Sequence, residues 1–146
     1  MKYDDASWHY GGDFPKDLPQ EAGATHIGMF LAWALLSGLE GDLYTEELPD
    51  AIPSLQSRSI TPGAFLIANC DEKFTDDDLN EEGNDFAQGY YASDAALYVS
   101  DYGDTLGEGL ESLYHVKDTW ENFDRIKLVL DQRFKDWKNE NSAPTA

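Results

Sequence analysis

Positive charge is scarce in this chain. Ten Lys and Arg stand against 29 Asp and Glu, a formal net charge of −19 over 146 residues. A surface so short of cations repels phosphate backbones, so DNA, RNA and anionic membranes are excluded as partners. Cysteine is nearly absent: Cys70 stands alone, which excludes an internal disulfide and a multi-thiolate metal site. The three histidines, His9, His26 and His115, show no H-x₃-H spacing. Gly103, Gly107 and Gly109 lack the following Lys and preceding apolar strand of a phosphate-cradling loop, and no nucleophile elbow occurs. Ser7, His9 and Asp5 are too close in sequence to converge as a Ser-His-Asp triad. No catalytic residue, metal ligand or cofactor is expected, and the chain reads as a non-enzyme.

Long hydrophobic runs are limited to one. Ala22 to Leu39 is uncharged for eighteen residues, at the short end of the ~17–25 needed to span a bilayer. Thr25, His26 and Ser37 interrupt it, and acidic Glu21 and Glu40 flank it where basic anchors would be expected. It reads as a buried central helix from about Ala24 to Leu39, apolar nearly all round and therefore surrounded by other elements. The opening residues, Met1-Lys2-Tyr3-Asp4-Asp5, are polar and acidic, unlike a secretory signal. With a lone thiol, a reducing cytoplasm is the expected compartment.

What is present argues for a folded chain. Hydrophobic residues make up 41% and aromatics 13%, too much for a disordered polyanion. The expected architecture is mainly α: a single helical domain over 1–139, with 1–23 as an irregular ordered arm, a possible short β element, and a flexible tail at 140–146. Pro49 and Pro53 limit residues 42–57 to short turns around Thr45 to Leu48. Thr61-Pro62 signals a helix start by cap hydroxyl and N1 proline, with Ala64 to Cys70 helical after it. Phe86, Tyr90 and Tyr91 suggest an amphipathic helix from about Asn84, while 94–102 fits helix or strand. The spacing Asp118-x-x-Glu121 predicts a capping box. From there Trp120, Phe123, Ile126, Leu130, Phe134 and Trp137 recur at three or four, predicting a helix of about five turns. Six Lys and Arg balance six Asp and Glu over 117–146, so the whole excess of acid belongs to 1–116.

The densest acid lies between Cys70 and Asp85, eight carboxylates in sixteen residues. As a calcium loop the best register starts at Asp78 and places Gly89 where the bidentate Glu must stand, so that reading fails. Thr75 can cap a helix with Asp76, Asp77 and Asp78 in its first turn, where the helix dipole favours anions. Asp71, Glu72, Glu81, Glu82 and Asp85 have no such local explanation and suggest a face for a cationic partner. Tyr90, Tyr91, Tyr98 and Tyr102 stand near enough to supply aromatic anchors, at most two of them exposed.

Several stretches together carry a resemblance: Tyr3-Asp4-Asp5-Ala6-Ser7-Trp8-His9-Tyr10-Gly11-Gly12, the helix Gly23 to Trp33, Thr61-Pro62-Gly63 with Cys70-Asp71-Glu72-Lys73-Phe74, and Leu113 to Trp120. The chain resembles a family of small acidic bacterial proteins of unassigned biochemistry, often encoded beside polymorphic interbacterial toxins, some of them regarded as immunity proteins. The resemblance implies a toxin-neutralising role and brings no catalytic residues with it. The expected partner is then a cognate, basic toxin, met by Asp76, Asp77, Asp78, Glu81, Glu82 and Asp85, with Tyr90 and Tyr91 as anchors. The alternative is a small metal-binding protein or enzyme with an aromatic-lined pocket near His9.

Overall fold

The computed structural model describes residues 1–10, 14–93 and 96–141. The chain folds around one helix, α1 (Thr25–Leu36), whose residues from Thr25 to Leu35 are all buried. Its apolar circumference leaves no face for water, so its neighbours cover it on every side, as expected. Helices α2 (Leu43–Glu46), α3 (Ala51–Gln56) and α4 (Pro62–Cys70) follow it, then α5 (Glu81–Tyr90), α6 (Leu97–Leu106) and the long α7 (Trp120–Asn141). The protein is mainly α, and its β structure among the described residues is one two-stranded sheet with one isolated bridge, Glu40 to Leu79.

That sheet pairs β1 (Lys2–Asp5) antiparallel with β2 (Lys73–Thr75), with an irregularity between Lys2 and Asp4. The pairing buries Tyr3, Asp4 and Asp5, and Ala6 just after them. Two 3₁₀ turns, Ala6–His9 and Gln20–Ala24, carry the chain into α1. Asp118, Leu79 and the backbone of α4 then lock the remaining pieces together, each by a different bond.

Helix α4 starts at Pro62, which offers no N–H, leaving Gly63 and Ala64 as orphan donors. Asp118 satisfies both, with Gly63 N–H on Oδ1 at 2.8 Å and Ala64 N–H on Oδ2 at 3.2 Å. Thr61 does not cap with its own hydroxyl; it donates to Asp118 Oδ2 at 2.6 Å. Asp118 is thus committed to α4 rather than opening a capping box on α7, whose Asn122 N–H bonds Thr119 Oγ1 instead, at 3.2 Å. At its other end α4 reverses through Asp71 and Glu72 in the left-handed region (φ 51° and 64°), and the Glu72 N–H returns to the Leu66 carbonyl. Asp71 and Glu72 are accounted for by this helix exit.

Helices α1 and α4 approach at Gly28. A Cβ there would come 2.3 Å from the Pro62 carbonyl oxygen, a backbone atom that cannot yield without moving α4. Gly28→Ala is expected to lower stability by about 1–3 kcal/mol despite alanine's higher helix propensity, read as a shift of the urea midpoint.

Residues 94–102 resolve as helix from Leu97, with 94 and 95 outside the described residues. Helix α7 runs over 22 residues to Asn141, so 140 and 141 belong to it, and the rest of the expected tail lies outside the described residues. Its cations neutralise acid in part: Arg133 pairs with Asp101 at 2.8 Å and Lys138 lies 3.9 Å from Glu82. Lys127 stays within the helix, on Asp131.

Candidate functional site

An open cleft of about 670 Å³ lies between α2, the C-terminal end of α4, β2 and the turn that follows. Its walls carry Asp42, Glu46, Glu47, Asp71, Asp76, Asp77 and Asp78, seven carboxylates, against one cation, Lys73. Lys73 is taken by Asp71, Nζ to Oδ2 at 2.7 Å, and the N-terminal ammonium by Asp76 at 2.9 Å. Among the described residues Asp42, Glu46, Glu47 and Asp77 have no ion-pair partner, so their negative potential is uncompensated at short range.

The two halves of this acid are about thirty residues apart in sequence. They meet because Glu40 bridges antiparallel to Leu79 and the Gly41 N–H donates to the Asp78 carbonyl at 3.0 Å. A side chain at Gly41 would meet the Asp77 carbonyl oxygen at 2.5 Å, so glycine permits the approach. Sequence reasoning missed Asp42, Glu46 and Glu47. Their only signal was a second acidic run around Gly41.

Asp78 closes the cleft floor and is 3% exposed. Its Oδ2 accepts the Thr75 N–H at 2.8 Å and its Oδ1 the Tyr44 hydroxyl at 2.7 Å. Burial raises its pKa; the Thr75 and Tyr44 bonds oppose this, while Asp77 and Asp76 add to it. The Cys70 sulfur lies 3.2 Å from the Tyr44 hydroxyl. Burial, and then the Asp78 charge, push its thiol up to about 12, so it is no thiolate nucleophile. A carboxyl that holds its proton more tightly folded than unfolded destabilises the fold as pH rises. The loss begins near the unfolded value of about 3.9 and is complete above the folded pKa. Asp78→Asn is expected to remove that part of the decline, so the stability difference between pH 4 and pH 7 shrinks in urea titrations of the variant.

The expected contact residues divide. Asp77, Glu81, Glu82 and Asp85 are exposed and Asp76 is half-exposed. Glu81 and Glu82 stand in the first turn of α5, which starts earlier than expected because Asn80 caps it, accepting the Gly83 N–H at 2.8 Å. The other three require correction as surface residues. Asp78 is buried by its cap and by Tyr44. Tyr90 and Tyr91 are buried against Phe30, with centroids at 6.2 and 4.9 Å. Their hydroxyls are used internally, on Asp101 and Asp4, both at 2.6 Å. Tyr98 and Tyr102 are buried too, so all four tyrosines belong to the core. Helix periodicity marks an apolar face but does not say whether α1 or a partner covers it. Among the described residues the exposed aromatic is Trp8, 58% exposed beneath Lys2 Nζ at 5.0 Å, just beyond the strand that pairs with β2.

A second cluster gathers under the N-terminal arm. His9 Nε2 lies 2.9 Å from Asp4 Oδ1 and its Nδ1 lies 2.7 Å from the Tyr114 hydroxyl. His26 is buried in α1, with Nε2 3.7 Å from Asp4 Oδ2. Asp4 also accepts the Asp5 N–H on Oδ1, at 2.8 Å. Burial opposes ionisation of Asp4, yet the two imidazoles and the Tyr91 hydroxyl hold its carboxyl far below the usual range. Burial lowers the His26 pKa, against the opposing pull of the Asp4 carboxylate. Ser7 turns away from His9 and donates to Asp5 Oδ1 at 2.7 Å, so these three make no triad.

Residues 2–116 match a domain family of unknown function, DUF7832. With most of its length in that match, the chain belongs to this family. The match includes the acidic cleft and the Asp4, His9 and His26 cluster, and ends before α7. Comparison with curated proteins and with solved structures finds no match.

Proposed function

We propose that this protein is an immunity protein of the cytoplasm, binding a cognate, basic interbacterial toxin domain and neutralising it by occupancy rather than by chemistry. One observation carries the reading: the cleft sets seven carboxylates against a single, already paired lysine. Such a concave acidic surface focuses the field and raises the rate at which a cationic domain docks. The net charge of −19 extends the attraction beyond the cleft. Glu81, Glu82 and Asp85 continue it around a shallow depression beside Trp137. The resemblance seen in the sequence supplies the biological class of the partner, and the cleft supplies its sign. Trp8 replaces the buried tyrosines as aromatic anchor, because it is large and exposed and follows closely on the strand that pairs with β2. The test is co-expression with toxin genes adjacent to this one. Protection of the cells and recovery of a stable complex are expected. Cells that die, with no complex recovered from any neighbouring toxin, would refute the proposal.

A further inference from the structure

The cluster of Asp4, His9 and His26 has the composition of a metal centre, two imidazoles and one carboxylate, drawn from β1, the turn after it and α1. Their ligand atoms lie within 4.8 Å of one another. Bonds of about 2.0–2.2 Å to a common ion put adjacent donor atoms roughly 3.0–3.6 Å apart. The separations, 2.9 Å from Asp4 Oδ1 to His9 Nε2 and 3.7 Å from Oδ2 to His26 Nε2, fall just below and just above that range, one histidine on each carboxylate oxygen. The rings agree as well. Two imidazoles bound through Nε2 near a right angle hold their centroids about 4.5–5 Å apart by the same bond lengths. Here they are 4.6 Å apart and steeply inclined, at 87°.

Asp4 Oδ2, which accepts the Tyr91 hydroxyl, faces His26 Nε2 at 3.7 Å, beyond hydrogen-bond length and a suitable gap for an ion. Outer partners are already in place. Tyr91 and the Asp5 N–H orient the carboxylate, and the Tyr114 oxygen stands where His9 Nδ1–H would donate once Nε2 is given to a metal. His9 is the exposed member, its side chain 23% accessible, so an ion reaches the cluster past it.

We propose that Asp4, His9 and His26 bind one first-row divalent transition-metal ion through His9 Nε2, His26 Nε2 and the Asp4 carboxylate. Calcium and magnesium do not suit it, since they take all-oxygen shells. The site is distinct from the acidic cleft, and its truth does not depend on the toxin reading. A second group, Asp17, Glu111 and His115, offers a comparison on the surface, with Asp17 and Glu111 side chains 65% and 87% exposed.

The experiment is titration of the chelator-treated full chain with Zn²⁺ by calorimetry and with Co²⁺ by visible absorption. One ion per chain is expected, at micromolar Kd or tighter. His9→Gln should weaken binding by more than the roughly 10–100-fold that loss of an outer partner costs, and Tyr114→Phe by that smaller amount. His115→Gln should leave it unchanged. Imidazole ¹⁵N spectra of the unmutated protein read the same point without a variant, since zinc should shift Nε2 of His9 and His26 together. Absence of one-to-one binding overturns the proposal. So does binding that His115→Gln abolishes and His9→Gln leaves intact, or zinc that shifts other histidine nitrogens.

Discussion

Phe30→Ala is expected to destabilise the protein by about 3–5 kcal/mol, the upper range for a buried aromatic. Phe30 sits at the centre of α1, 1% exposed, with ring centroids of Trp33, Phe74, Phe86, Tyr90, Tyr91 and Tyr98 between 4.9 and 6.3 Å away. These rings come from α1, β2, α5 and α6, so one side chain joins four elements. Rings cannot flow into the vacated space as flexible aliphatic chains do, and two of the lining tyrosines are held by bonds to Asp101 and Asp4. The cavity therefore persists, and its cost adds to the lost transfer energy. Urea denaturation should show a lower midpoint with an unchanged slope. A loss under about 1 kcal/mol would mean that the core repacks freely, against this account.

Asp118→Ala is expected to cost about 2–4 kcal/mol, although Asp118 is only partly buried. The carboxylate serves three donors from Thr61, Gly63 and Ala64 at the N-terminus of α4, where the helix dipole also favours its charge. Cap removal alone is worth about 0.5–2 kcal/mol, and the donors left behind add their own penalty. Asp118→Asn keeps acceptor capacity without the charge and should lose roughly half as much. Hydrogen exchange of the Gly63 and Ala64 amides checks the mechanism: the alanine variant should expose these two before the rest of α4. Uniform loss of protection would instead place Asp118 among ordinary packing residues.

The large elements were legible because their signals are local. An apolar circumference announced the buried α1, and the three–four spacing from Trp120 to Trp137 announced α7. The mainly α class followed from those two. The sheet was expected only as a possible short element, since β1 contains two acids and its partner has three residues seventy positions away. Capping was read correctly at Thr75, which heads the short turn Asp76–Asp78 in a capping box with Asp78, but Thr61 and Asp118 have other roles than those expected. Asp118 has cap chemistry, yet it caps a helix that begins 56 residues earlier, and no local pattern tells a carboxylate which helix it serves. The acidic site was half legible. Asp76 and Asp77 stand in the acidic stretch from Cys70 to Asp85, whereas Asp42, Glu46 and Glu47 join them only through the bridge at Glu40. The His9 and His26 pairing was invisible for a like reason. They lie seventeen positions apart, and the spacing test sees only ligands that share a helix or a loop.

The central claim, that the cleft meets a cationic partner, is tested most directly by association kinetics with the co-expressed toxin. Two variants should be compared with the unmodified protein, each losing five negative charges. One carries Asp42→Asn, Glu46→Gln, Glu47→Gln, Asp71→Asn and Asp77→Asn within the cleft. The other carries Asp104→Asn, Glu108→Gln, Glu121→Gln, Asp136→Asn and Glu140→Gln on exposed positions elsewhere. The account predicts that the cleft variant associates about 10–100-fold more slowly at low salt and loses most of its salt dependence. The matched control should stay within about three-fold of the unmodified protein. Equal slowing in both variants would contradict the claim by reducing it to net charge, and no slowing in the cleft variant would place the partner on another face.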